Sequence, residues 1–127
     1  MRTLILFLAL LTLPLSGFSG CAMLEPVDEA APPPRFKTPT EHYNKALDYY
    51  QKGRYTQAKE LFHEYVAQYP DSAILRIALY YLAHCYQIQG DEKEALVIYN
   101  RIIAAYGSDD FWSEQAFKRI KQIKGEE

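Results

Sequence analysis

Cysteine is nearly absent from this sequence: Cys21 and Cys85 are the two it has. At most one bridge can form, which excludes a disulfide-stapled scaffold. An excess of charge of either sign is also missing, because the formal net charge is -2. A module that grips nucleic acid shows a basic stripe, so no nucleic-acid partner is expected. No glycine-rich phosphate loop, HExxH string or zinc-type cysteine–histidine cluster occurs. His42, His63 and His84 fall on three separate predicted helices, and coincidence explains their spacing better than a metal site does. Cys85 reads as a small buried hydrophobe, and Glu92, Glu94, Asp109 and Asp110 as residues that complement helix N-termini. No catalytic, cofactor-binding or metal-ligating residue is therefore expected, and the chain is not read as an enzyme.

What is present divides the chain unequally. Residues 1–20 carry one charge, Arg2, then an apolar run from Leu4 to Leu15 and a string of small residues. That is the layout of a secretory signal. It ends on Phe18-Ser19-Gly20-Cys21, which resembles the cleavage box of bacterial lipoproteins, with Phe18 where leucine is usual. The resemblance implies that Cys21 carries the lipid. Ala22, in place of an aspartate that would signal inner-membrane retention, points by the same resemblance to the outer membrane, facing the periplasm. An ordinary signal peptide with an incidental cysteine, and an uncleaved inner-membrane anchor, stand as alternatives. Residues 21–39 then hold the lipidated cysteine and a linker with five of the seven prolines. Proline fixes φ and removes amide donors, so this linker is expected to be extended and unpaired, reaching roughly 50–60 Å. Arg35, Phe36 and Lys37 are too few to make a headgroup-binding segment.

Residues 40–124 contain all eleven tyrosines, and they repeat. A shift of 37 positions pairs Ala46 with Ala83, Tyr49 with Tyr86, Gly53 with Gly90, Ala58 with Ala95, Phe62 with Tyr99 and Tyr69 with Tyr106. Within each unit the apolar residues recur at helical spacing, as in Tyr43, Ala46, Leu47 and Tyr50. Gly53 and Gly90 stand where the first helix of each pair should stop. Asp71 and Ser72 are N-cap candidates for a third helix, which the longer spacing is expected to extend by nearly one turn. A fifth helix is expected over 110–124, burying Trp112, Ala116, Phe117, Ile120 and Ile123. Its wet face would then hold Glu114, Gln115, Lys118, Arg119, Lys121 and Gln122. At the other end, the polar His42 and Lys45 are expected to make the first helix tolerant of water.

Leu79-x2-Leu82-Ala83-x2-Tyr86, Gly90 and Ala95-x3-Tyr99, preceded by Ala46-x2-Tyr49, Gly53, Ala58-x3-Phe62 and Pro70, resemble the tetratricopeptide repeat (TPR). The implied fold is all-α: a TPR-like solenoid of two helix pairs, at about 40–71 and 76–107, plus a C-terminal capping helix at 110–124. Tyr69-Pro70-Asp71-Ser72 behind a lipoprotein signal resembles the BamD-like outer-membrane assembly lipoproteins and the Tol–Pal-associated periplasmic repeat proteins. Both groups are longer. The resemblance implies a membrane-anchored periplasmic scaffold that binds protein partners in envelope or outer-membrane assembly, without a cofactor. A pilotin-like accessory lipoprotein of a secretion or pilus system, a self-associating subunit or homodimer, and an accessory that positions a cell-wall hydrolase stand as alternatives. In this family the first helix of each pair lines a concave groove. The residues implied to be exposed there are Tyr43, Tyr50, Tyr80, His84 and Gln87, with Leu47 and Ile88 beneath. Tyr43 and Leu47 occupy places where a carboxylate clamp needs lysine and asparagine, so chaperone-tail binding is not expected.

The leader generates the first prediction. The chain expressed in a two-membrane bacterium should incorporate a palmitate analogue, and Cys21→Ser should not. Equal labelling of the two proteins would reject the anchor.

Overall fold

The computed structural model describes residues 35–126. The leader, Cys21 and the linker up to Pro34 lie outside the described residues. Within the described residues there are five helices and no strands: α1 (Pro39–Gln51), α2 (Tyr55–Gln68), α3 (Leu75–Ile88), α4 (Glu92–Tyr106) and α5 (Phe111–Lys124). The fold is an all-α helical repeat solenoid. No helix among the described residues is long and apolar enough to cross a membrane.

Consecutive helices pack antiparallel because the turns inside each pair are short and end the helix abruptly. After α1, Gly53 takes φ 72°, its N–H donates to the Tyr50 carbonyl, and the Arg54 N–H reaches back to the Tyr49 carbonyl. After α3, Gly90 takes φ 84°, with matching bonds from Gly90 to Gln87 and from Asp91 to Tyr86. These are two copies of one Schellman motif, which satisfies the last carbonyls of each first helix and turns the chain into its partner. Thr38 caps α1 by accepting from the Glu41 N–H at 3.1 Å. Asp110 caps α5 by accepting from the Trp112 and Ser113 N–H groups.

The connection between the pairs differs from expectation. Residues 69–74 form a turn and do not lengthen α3, which starts at Leu75 behind Ile74 with no side-chain cap. The Ser72 hydroxyl is occupied elsewhere: it shares a hydrogen bond with the Tyr65 hydroxyl at 2.8 Å and accepts from the Ile74 N–H at 3.3 Å. A local side-chain bond of this kind offers the backbone an alternative to the helix.

α3 is buried on two sides. Ala78, Leu82 and Cys85 pack with Ala46, Ala58, Leu61, Phe62 and Tyr65 of the first pair. Leu75, Leu79, Tyr80 and Ala83 pack with Ala95, Tyr99 and Ile102 of α4 and Ala116 and Ile120 of α5. A helix with apolar residues all round is what a central position demands. The core tyrosines keep their hydroxyls satisfied, Tyr65 on Ser72 and Tyr99 donating to Gln87 at 3.0 Å. Burial pushes the Cys85 thiol up to about 12, so it stays protonated and unreactive.

Residues at both ends depart from the sequence reading. His42 is not the water-tolerant edge of α1: it is fully buried. Its Nε2–H donates to the Leu61 carbonyl at 2.9 Å, and Phe36 stacks on its ring at 4.3 Å. Tyr65 and Tyr69 close it in edge-on. Burial lowers the His42 pKa, keeping the ring neutral. Only Lys45 stays in water, over the Tyr49 ring. The residues before α1 are therefore not all unpaired linker, since Arg35 also pairs with Glu64 at 2.7 Å. At the far end, Phe117 is 53% exposed rather than part of the buried stripe. Trp112, Ala116 and Ile120 do face inward, joined by the buried Ser113. At an offset of 34 residues, the period usual for this repeat, Phe117 matches Ala83, so a large ring stands where a following helix would need a small residue.

Phe36 should therefore act as part of the domain. Phe36→Ala in the full chain should cost about 1–3 kcal/mol, read as a lower midpoint in chemical denaturation. An unchanged midpoint would show that the stack on His42 contributes nothing.

Candidate functional site

The first helices α1, α3 and α5 form one layer and touch through long side chains, while α2 and α4 form the other. Across the α1–α3 seam the Tyr50 hydroxyl meets His84 Nδ1, and the Tyr50 ring lies edge-on to Tyr81 at 4.8 Å. Across the α3–α5 seam Trp112 packs on Tyr80 at 5.1 Å and on Tyr81 at 6.1 Å. There the Arg119 Nε–H donates to the Tyr80 hydroxyl at 3.1 Å. Phe62 of α2 stacks under Tyr81 at 5.6 Å and takes the edge of Tyr43 at 5.9 Å. The result is a continuous aromatic sheet laid over three helices. Tyrosine and tryptophan suit such a face because they supply large rigid area with a polar tip.

The electrostatics of the face follow from partial burial. Desolvation and the Arg119 charge push the His84 pKa down to about 4, so its ring is neutral at neutral pH. A neutral ring pairs its Nδ1 with the Tyr50 hydroxyl, the tautomer deciding which of the two donates. Burial raises the Tyr43 and Tyr50 hydroxyls to about 12, with neighbouring groups adding to the effect, so both stay protonated donors.

The structure groups Tyr50, Tyr80 and His84 directly. Gln87 joins them through Tyr99, which packs against Tyr80 at 5.8 Å. Tyr43 joins through Phe62. Tyr80 is buried beneath Trp112 rather than exposed, because α5 covers it. Ile88 is 43% exposed rather than lying beneath the tyrosines. Leu47 is half-buried. Tyr81, Trp112 and Arg119 also belong to the face. For Trp112 and Arg119 the sequence signal is the same offset of 34, which lays Trp112, Ala116 and Arg119 over Ala78, Leu82 and Cys85, the α3 residues that face the preceding pair. Arg119, expected on the wet face of α5, is therefore half-buried.

Two helix pairs with matching glycine stops and small residues at matching positions describe one repeat unit used twice. The tetratricopeptide repeat family matches residues 40–108, more than half of the chain. The chain belongs to that family. No curated protein matches the sequence. Tetratricopeptide repeat domains generally bind protein partners, and this all-helical TPR fold is typically a non-catalytic interaction module. Clefts also occur away from the aromatic face. One of about 410 Å³ opens between α2 and α4 over Leu79, Leu82 and Tyr86, with Glu94 and Arg101 on its rim. The aromatic face offers tyrosine and tryptophan side chains instead, which protein contacts favour.

The buried imidazoles generate a pH prediction. His84 and His42 have folded pKa values below their ordinary value of 6.5. Between the two values the unfolded chain binds more protons than the folded one, so stability is complete above 6.5 and is lost as pH falls toward 4. Thermal melts across that range should show the loss, and His84→Gln should flatten part of it. A variant with an unchanged pH profile would remove His84 from the account.

Proposed function

We propose that this TPR protein is a membrane-anchored scaffold in a bacterial envelope, held through a lipid on Cys21 and offering its first-helix face to a protein partner. The observation that carries the reading is the aromatic face itself. Tyr43, Leu47, Tyr50, Tyr81, His84, Gln87 and Trp112 are partly exposed side chains on one layer of helices, and the layer is stiffened by hydrogen bonds across both seams. A pre-ordered face loses little conformational entropy on binding. The lipoprotein-type leader supports an outer-membrane location facing the periplasm, and the linker supports a domain that works at a distance from that surface. The resemblance to BamD-like and Tol–Pal-associated proteins supports a role in outer-membrane assembly or envelope maintenance.

Two measurements test this. Membrane fractionation should recover the chain with outer-membrane markers, and Cys21→Ser should release it to the soluble fraction. Capture of envelope proteins after reversible cross-linking should lose its main partner with Leu47→Arg while helicity is kept. A wild-type chain found soluble would reject the anchor, and an unchanged partner set with Leu47→Arg would reject the face.

A further inference from the structure

The array ends with one side of α5 uncovered. In the second repeat, α4 packs over Leu79 and Ala83 of α3. At the offset of 34, Ser113 and Phe117 take those places in α5. α5 itself packs against α4 and α3, and no sixth helix follows it among the described residues. Four large apolar side chains are exposed among the described residues: Ile88, Val97, Phe111 and Phe117. The two aromatic ones both belong to α5, Phe111 at 61% and Phe117 at 53%.

The charges on this side are sorted along the helix. Glu114, Phe117, Lys121 and Lys124 recur at three-and-four spacing and form one stripe. Glu114 belongs to the first turn of α5, and Lys121 and Lys124 belong to the last. At 3.6 residues per turn, Trp112 and Arg119 fall on the opposite side of the helix, so the stripe is separate from the aromatic layer. Glu114 meets Lys118 at 2.9 Å within α5, and the Lys121 ammonium lies over the Phe117 ring at 5.6 Å. Both members of the Glu114–Lys118 pair are more than half exposed, and a carboxylate has acceptor sites left for a second cation.

Such a stripe is its own complement. Laid antiparallel on a second copy and centred between positions 117 and 118, it sets Glu114 against Lys121 of the second copy. The Phe111 ring then meets Lys124 of the second copy, and Phe117 packs at the centre beside its counterpart. A two-fold axis repeats each contact, as an isologous interface requires. A parallel copy would set lysine on lysine, and an anionic lipid surface would repel Glu114. α4 also exposes an apolar side chain, Val97, but its first turn interleaves Lys93 with Glu92 and Glu94, and it exposes no ring.

We propose that the uncovered side of α5 is a homodimer interface, where two copies of this chain pair antiparallel through Glu114, Phe117 and Lys121. The contact is one helix wide, so the dimer is weak and reversible. Each copy keeps its aromatic layer free, which makes the pair bivalent toward a partner.

Sedimentation equilibrium of the full chain in density-matched detergent, over a range of concentrations, reads the association directly. The wild type should pass from one chain to two, and added salt should weaken the dimer. Phe117→Ala should weaken it about tenfold or more, as loss of a central aromatic anchor does. Glu114→Lys and Lys121→Glu should each stay single, because each sets like charges across the axis. A mixture of those two variants should dimerise again, since each supplies the charge that the other lacks, and so should the doubly substituted chain. Val97→Glu, on α4, should dimerise as the wild type does. Circular dichroism checks that every variant keeps its helices. A wild type that stays single at every concentration would overturn the proposal and leave this side to a different occupant. A dimer that survives both charge reversals, or one lost only with Val97→Glu, would place the contact elsewhere and overturn it too. Failure of the mixed variants to pair would reject the antiparallel arrangement.

Discussion

Helices in this domain can approach closely because alanine stands wherever two of them meet. Ala46, Ala58, Ala83 and Ala95 have no exposed surface, and each sits at the same place in its helix as its counterpart 37 residues away. Small residues at the contact set a short interaxial distance, and everything larger must then fit around it. Phe62, Tyr65 and Tyr99 fill the spaces between turns and are fully buried. Replacing one alanine with leucine would force several rings off their rotamers, which is why the alanines constrain the fold more than the aromatics do. Phe117, by contrast, stands 53% exposed on α5.

Close helix approach also creates the face. It brings α1, α3 and α5 near enough for Tyr50 to reach His84 and for Arg119 to reach Tyr80. Both bonds cross a seam between repeats, so the face behaves as one surface rather than three helix edges. Partial burial also keeps the His84 ring neutral where it meets Tyr50. Packing, protonation state and recognition are thereby linked through the same handful of side chains.

Much of the fold was legible because it rests on local patterns. Helix periodicity, the glycine stops at Gly53 and Gly90 and the small residues at matched positions each depend on a few neighbouring residues. What escaped depended on contacts that reach beyond one helix turn. The helix pattern around His42 does not announce that Phe36 will stack on its ring or that the Leu61 carbonyl will accept its hydrogen bond. Ser72 looked like a cap because its local context fits one, but Tyr65 competes for its oxygen. Arg119 looked solvated because arginine on a terminal helix usually is, and only the repeat offset relates it to Cys85. The burial of Tyr80 is imposed by α5 and has no counterpart in its own helix pattern. The face was readable as a helix surface, whereas its membership required the packing.

The central claim is that the aromatic layer of α1, α3 and α5 meets the partner. Site-specific photocross-linking in living cells tests it most directly, with a light-activated residue placed at Leu47 or Gln87 on that layer and at Val97, 59% exposed on α4. The account predicts one shared cross-linked species from positions 47 and 87, and none of that size from position 97. A shared partner captured from position 97 alone would contradict it and place recognition on the α2–α4 side.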